Sequence, residues 1–236
     1  MIKKSLSQNF LIDHNIAKKI ANLITKYSNY NLIEVGPGHG FLTDHLLKKN
    51  AKKIILIEKD YNLFLKLKNK YKNNINIKIY NYDALKTNIF NKIKKPKVII
   101  SNLPYNISIK LITNWLPNIE NFIGFHLMIQ KEVSEKFKYN DKKKSNRLNL
   151  LAYLYSDFKK EFDVSPNVFF PKPKVFSSVV TFTPNIKCKI DATEFKNFTR
   201  ILFSTKRKKI INNLLRLGPV LILFISVLNE IDLNYI

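Results

Sequence analysis

An α/β fold with a mostly parallel sheet flanked by helices is predicted by three features of the sequence. Short apolar runs alternate with segments of helical periodicity through the first half of the chain. A Gly-rich turn, Gly36-Pro-Gly-His-Gly40, follows the first such run and precedes a helical segment. Acidic residues stand after the next two runs, at Glu58 and Asp83. Strands alternating with helices imply right-handed βαβ units, whose crossovers cover both faces of a parallel sheet.

The elements read in order as follows. Asp13 to Lys26 carries Ile16, Ala17, Ile20, Leu23 and Ile24 at helical spacing, with Asp13 as its N-cap. Asn31 to Val35 is the first strand, and Phe41 to Lys49 is a helix. Lys53 to Glu58 is a second strand, Tyr61 to Tyr71 a helix, and Ile75 to Tyr80 an alternating third strand. Val98 to Ser101, with Pro96 at its edge, and Phe125 to Ile129 supply the fourth and fifth strands. Ala152 to Phe158, Lys159 to Val164 and Ser177 to Phe182 are β-rich and complete the sheet. Beyond Pro184 the pattern becomes helical, at Thr193 to Phe203, Arg207 to Leu217 and Val220 to Leu228. Two domains are therefore expected: residues 1–184, and a small all-helical unit over 185–236.

Composition narrows the class. At 236 residues, 45% hydrophobic and 12% aromatic, the chain can bury a core, which excludes disorder as its main state. The 41 basic residues against 17 acidic ones give a net charge of +24. Nucleic acid is the first partner such a charge suggests. The alternative is a compositional skew, because only four of the basic residues are Arg and the chain also holds 29 Asn. The single cysteine, Cys188, allows no internal disulfide and suits a reducing compartment. The N-terminus shows no signal-peptide pattern, and Val220 to Leu228 is too short to span a bilayer, so a cytoplasmic protein is expected.

Four constellations could carry chemistry. Glu34-Val-Gly-Pro-Gly-His-Gly40 is either a plain strand-to-helix connection or a turn that lets the backbone approach a ligand closely. It lacks the Gly-Lys-Ser/Thr ending of a P-loop. Glu58 lies where an acidic residue would meet ribose hydroxyls, and Asp83 where a carboxylate could accept from an adenine amine. All three stand at the carboxyl ends of successive strands, which fits an adenosine-containing cofactor. The fourth is Asn102-Leu-Pro-Tyr105. Asn102 offers an acceptor, Pro104 forces Leu103 toward extended geometry that can turn its carbonyl into a cleft, and Tyr105 offers an aromatic face. Two acceptors and a ring suit the exocyclic amine of a planar base; the alternative is a proline turn with a structural Asn. No metal site is expected.

The chain resembles the ribosomal RNA adenine N6,N6-dimethyltransferase family, and within it the small-subunit branch. The resemblance rests on Ser7-Gln-Asn-Phe-Leu11, Glu34-Val-Gly-Pro-Gly38 with Leu42-Thr43, Ile57-Glu58-Lys-Asp60, Asp83-Ala84, Asn102-Leu-Pro-Tyr-Asn-Ile-Ser108, Met128-Ile-Gln-Lys-Glu-Val133, Arg147-Leu148 and Val164-Ser-Pro-Asn-Val-Phe169 running into Pro171-Lys-Pro-Lys-Val175. It implies a Rossmann-like class I methyltransferase domain that uses S-adenosyl-L-methionine. Asn9 and Leu11 would close over the cofactor, and Gly36 would approach its methionine part. Glu34 and Gly38 would shape the turn, Glu58 would hold the ribose, and Asp83 would read the adenine. Asn102 would bind near the methyl donor of the cofactor and also the target base, which Leu103, Pro104 and Tyr105 would receive with it, and Phe169 would be a second ring opposite Tyr105.

The implied reaction is dimethylation of two adjacent adenosines near the 3′ end of small-subunit rRNA, linked to subunit biogenesis. The implied partner is that rRNA or a subunit precursor, met by a monomer. Rivals are the large-subunit rRNA dimethyltransferases, a DNA adenine methyltransferase and a non-catalytic assembly factor. Two departures stand out. Ser145-Asn146 replaces the family's usual Tyr-Gly before Arg147, and the C-terminal unit is expected to be abridged. Lys206-Arg-Lys-Lys209 is a candidate phosphate contact or a solvated charge run.

Overall fold

A computed structural model describes residues 9–27, 29–49, 51–86, 89–139 and 146–187, together with 194, 197, 199 and 200. The chain enters through a short strand, β1 (Phe10–Leu11), and helix α1 (His14–Ala21), which continues as a 3₁₀ turn over Asn22–Ile24. Asp13 caps α1, its carboxylate accepting from the Ile16 amide at 2.8 Å. Three βα units follow: β2 (Asn31–Val35) with α2 (Phe41–Leu46), β3 (Lys53–Ile57) with α3 (Tyr61–Lys70), and β4 (Ile77–Tyr80) with α4 (Ile89–Lys92). Next come β5 (Lys97–Asn102), α5 (Tyr105–Trp115), β6 (Gly124–Gln130), α6 (Lys131–Phe137), α7 (Arg147–Tyr155), β7 (Ser156–Val164), β8 (Phe169–Phe170) and β9 (Ser177–Pro184).

Seven strands form one sheet in the order β4-β3-β2-β5-β6-β9-β7. The pairs from β4 through β6 are parallel, and β9 lies antiparallel between β6 and β7. The central strands are mostly apolar because both faces are covered. In β2, Leu32 packs into one core while Ile33 and Val35 pack into the other. The first core holds Trp115, Phe125 and Phe182; the second holds Ile20, Ile24 and Tyr30 from the N-terminal helix and its exit.

Several element boundaries differ from expectation. Ala152 to Tyr155 completes α7, and the strand starts only at Ser156. Leu150, Leu151, Ala152, Leu154 and Tyr155 are all buried, so this short run carries no face contrast by which to tell helix from strand. Asn146 decides the matter locally. Its side chain accepts from the Leu148 and Asn149 amides, and Asn149 accepts from the Asn146 amide, closing a capping box. That is also what stands in place of the family's Tyr-Gly: Asn146 is extended, at φ −134°, and needs no glycine. The third strand begins at Ile77, leaving Ile75 92% exposed, and helix α2 stops at Leu46. The pairing of β1 with β8 was not anticipated; strands of two residues carry no periodicity. Strand β9 ends at Pro184. The expected helices over Arg207 to Leu217 and Val220 to Leu228, and the Lys206 to Lys209 cluster, lie outside the described residues. Of Thr193 to Phe203, only residues 194, 197, 199 and 200 are described, and they are helical. No helix among the described residues is long and apolar enough to cross a membrane.

One polar chain crosses the sheet. His126 on β6 is 2% exposed; its Nδ1 lies 3.0 Å from Thr181 Oγ1 and its Nε2 3.2 Å from Tyr27 Oη. Thr181 in turn donates to Glu161 at 2.8 Å. Burial, helped by Lys26 and opposed by Glu161, pushes the imidazole down from 6.5 to about 4. The unfolded chain therefore binds a proton between those values that the folded chain refuses. The stability this contributes is complete above pH 6.5 and is lost as pH falls toward 4. Thermal denaturation of wild type and His126→Gln from about pH 7.5 to about 4.5 is expected to show a gap that shrinks with acidification; a constant gap overturns the assignment.

Candidate active site

A cleft of about 330 Å³ opens over the carboxyl ends of β2, β3 and β5. Strand β2 lies between β3 and β5: the chain runs outward from it through β3 and β4 and then crosses back to its other side at β5, and the crevice at such a reversal is where open α/β sheets bind ligands.

Glu34 is buried at the end of β2 and accepts from Thr43 Oγ1 at 2.6 Å. Burial drives its carboxyl up to about 8, against the Thr43 bond and with help from Asp44 and Glu58. Near neutral pH it is an uncharged acid that ties α2 to β2. The glycine turn begins by extending the sheet, Gly36 N–H donating to Ile57 C=O at 2.9 Å. Gly38 has φ +59°, and a Cβ there would stand 2.8 Å from the Phe10 ring. Glycine is required because the N-terminal segment crosses directly over the turn.

Glu58 follows β3 and is also buried. Its Oε2 accepts from the Gly38 amide at 3.2 Å and its Oε1 from the Asp60 amide at 2.8 Å. Burial raises its pKa, and these amides oppose the rise. The Lys59 amide bonds it as well, and of the carboxylate's four acceptor sites one is left to receive a hydroxyl. Asp83, after β4, accepts from the Leu85 amide at 3.0 Å and pairs with Lys59 Nζ at 3.0 Å. Burial pushes Asp83 up, but the Leu85 amide and the Lys59 ammonium overcome it and hold the carboxyl below its ordinary value.

Asn102 ends β5. Its Nδ2 donates one hydrogen to Asn9 C=O at 3.2 Å, which leaves the acceptor Oδ1 available to a ligand alongside the second N–H. Leu103 N–H is committed to Met128 C=O at 3.1 Å, and the Leu103 side chain is core. Ser101 Oγ bonds Val35 C=O, locking the end of β5 to the end of β2. Pro104 stands as the N-cap of α5, where its missing N–H removes no helical bond. Tyr105, the first residue of α5, lies 2.6 Å from Ser177 Oγ through its hydroxyl. Burial raises its pKa, and the Ser177 bond works against that.

Asn9, Leu11, Glu34, Gly36, Gly38, Glu58, Asp83 and Asn102 to Tyr105 thus line one cleft. Phe169 is not among its lining residues. It is 3% exposed, opposite Leu11 in the β1–β8 ribbon, with its ring in the second core. The next residue, Phe170, is 62% exposed. Sequence reasoning missed Lys59, Thr43 and Ser177 as partners of Asp83, Glu34 and Tyr105. Ser177 stands 72 residues from Tyr105, and no local pattern joins them. Among the described residues no group of three or more His, Cys, Asp or Glu could hold a metal.

A mostly parallel sheet with a glycine turn after a central strand, an acidic residue after the next, and Asn-Leu-Pro-Tyr at the end of β5 defines a Rossmann-like class I methyltransferase. The family model described as ribosomal RNA adenine dimethylase matches residues 1–234, and the chain belongs to that family. It is 40% identical over 218 residues to the ribosomal RNA small subunit methyltransferase A of Wolbachia sp. subsp. Drosophila simulans (strain wRi), covering 90% of this chain and 79% of that protein. It is 42% identical over 217 residues to the protein of the same name from Mesomycoplasma hyopneumoniae (strain 232), covering 90% and 81%. Among solved structures, a dimethyladenosine transferase from Plasmodium falciparum superposes with a TM-score of 0.75 at 28% identity, covering 94% of this chain and 82% of that one.

Proposed function

We propose that this chain transfers methyl groups from S-adenosyl-L-methionine to N6 of two adjacent adenosines near the 3′ end of small-subunit rRNA. The observation that carries the reading is Asn102-Leu-Pro-Tyr105 at the mouth of a cleft whose inner wall suits an adenosine. The names of the relatives point the same way.

The cleft's donor set fits the cofactor. Glu58 presents a buried carboxylate with lone-pair capacity beyond its amide bonds, Gly36 and Gly38 have no side chains to obstruct approach, and Asp83 stands at the far end. When bound, S-adenosyl-L-methionine supplies a methyl group on a sulfonium sulfur, a leaving group that needs no further activation. The chain's own task is the amine. The lone pair of adenine N6 is delocalised into its ring. Acceptance of the N6 hydrogens by Asn102 Oδ1 and Leu103 C=O favours a more tetrahedral nitrogen and orients that lone pair. The same oxygens oppose the positive charge that develops on N6. Asn102 is neutral and no strong base, so the proton passes to solvent.

The target base must leave its stack to reach these groups, at a cost of a few kcal/mol. Stacking on Tyr105 offsets part of it, and the Ser177 bond holds that ring in place beforehand. Phe169 serves as the second ring only where the β1–β8 ribbon parts from it. The charge of +24 implies that rRNA binding weakens with salt.

Transfer of labelled methyl to unmethylated small subunits, followed by mapping of the modified bases, tests the reading. Tyr105→Ala is expected to lower incorporation by about 10- to 100-fold while cofactor affinity stays within about twofold. Tyr105→Phe keeps the ring and loses only the Ser177 bond, and should fall between. Undiminished turnover of Tyr105→Ala would falsify the stacking role.

A further inference from the structure

Beside the cleft lies a surface that the reaction as described leaves unused. Phe170 and Phe176 are large aromatic residues, 62% and 53% exposed. They bracket Pro171-Lys-Pro-Lys-Val175, in which Lys172, Lys174 and Val175 are exposed. Lys172 and Lys174 make no ion pair with any described residue. No acidic residue occurs in the sequence between Asp163 and Asp191.

Both residues are anchored through their backbone beside the cleft. Phe170 pairs in register with Phe10, which lines the cleft and lies over the glycine turn. Its orientation follows from strand alternation: Phe169 turns into the core, so Phe170 turns out. Phe176 has its carbonyl fixed by the Lys131 amide at 2.9 Å, and the next residue, Ser177, bonds Tyr105. Two prolines stiffen the segment between them, so the rings meet a ligand with little conformational freedom left to lose.

We propose that Phe170 and Phe176 are a stacking platform for the unpaired nucleotides flanking the target adenine, with Lys172 and Lys174 on the phosphates between them. The proposal rests on the rRNA reading above. Exposed aromatics separated by lysines are what single-stranded nucleic acid requires: faces for bases and cations for the backbone. A protein partner would use the rings but has less need of two lysines that form no ion pair with a described residue. Extrusion of the target adenine leaves its neighbours partly unstacked, and the platform gives them a surface beside Tyr105.

The test is binding of a short single-stranded oligoribonucleotide carrying 2-aminopurine beside the target adenine, followed by fluorescence quenching, with cofactor affinity measured in parallel. Phe170→Ala and Phe176→Ala are each expected to weaken binding about tenfold and to reduce quenching. Cofactor affinity should be unchanged, and Phe→Trp at either position should restore binding. Lys172→Gln with Lys174→Gln should lower the salt dependence of binding without altering quenching. Unchanged oligonucleotide affinity and quenching in the double Phe variant overturns the platform. If that variant instead loses affinity only for intact subunits, the surface belongs to a protein contact and the RNA assignment is overturned. Failure of the rRNA reading itself is distinguishable, because wild type would then place no methyl on small subunits.

Discussion

Replacement of Asn102 by alanine is expected to lower methyl transfer by roughly 10²- to 10³-fold, the usual cost of removing one preorganised group that meets developing charge. Two physical losses combine. The acceptor Oδ1 proposed to meet N6 disappears, and the Nδ2 bond to Asn9 C=O, at 3.2 Å, no longer holds the N-terminal segment across the cleft. Asn102→Asp separates them. It keeps an acceptor but cannot donate to Asn9, and it adds a negative charge. If the acceptor dominates, Asp retains more activity than Ala; if the tether to Asn9 dominates, both fall alike and cofactor affinity falls with them. Single-turnover transfer at saturating RNA, alongside calorimetric cofactor binding, reads the two effects. An alanine variant with wild-type turnover removes Asn102 from the mechanism.

Glu58→Ala is expected to weaken cofactor binding by about a hundredfold or more, because hydrogen bonds to a charged acceptor are worth about 1.5–3 kcal/mol each. The effect exceeds the loss of the proposed ribose contact. The Gly38 and Asp60 amides, at 3.2 and 2.8 Å, lose their shared acceptor, so the glycine turn loses its link to the end of β3. Glu58→Gln is the sharper variant. Its single oxygen can serve only one of those amides, and its NH₂ must then face the other donor. Glutamine should therefore bind the cofactor only modestly better than alanine. A glutamine variant of wild-type affinity would show that the carboxylate is not the ribose acceptor. Thermal melts of the apoprotein distinguish lost binding from lost folding.

Much of this site was legible because its chemistry is local in sequence. The order of strand, glycine turn and acidic residue places Glu34, Gly36, Gly38 and Glu58 through the handedness and spacing of βαβ units alone. Asn102-Leu-Pro-Tyr105 is a four-residue motif whose backbone is set by Pro104. What could not be read were contacts made between distant segments. Lys59 reaches Asp83 across a strand and a helix, and Ser177 meets Tyr105 through the antiparallel end of the sheet. Ala152 to Tyr155 misled for a different reason: a run buried on all sides has no polar face to reveal its period.

Phe169 marks the division most plainly. Its family segment is visible in the sequence, and with it the expectation of an aromatic near the target base. Which face of β8 each phenylalanine takes depends on the pairing of that strand with β1, where Leu11 stands opposite Phe169 and Phe10 opposite Phe170. By itself the sequence determined the α/β class, the order of the central strands' chemistry and the residues at their carboxyl ends, because periodicity and turn composition act over a few residues. The tertiary structure alone decided which carboxylates are neutral, which oxygens still have lone pairs to offer, and which aromatic rings face solvent. Those properties arise from burial and from hydrogen bonds between elements that only the completed sheet brings together.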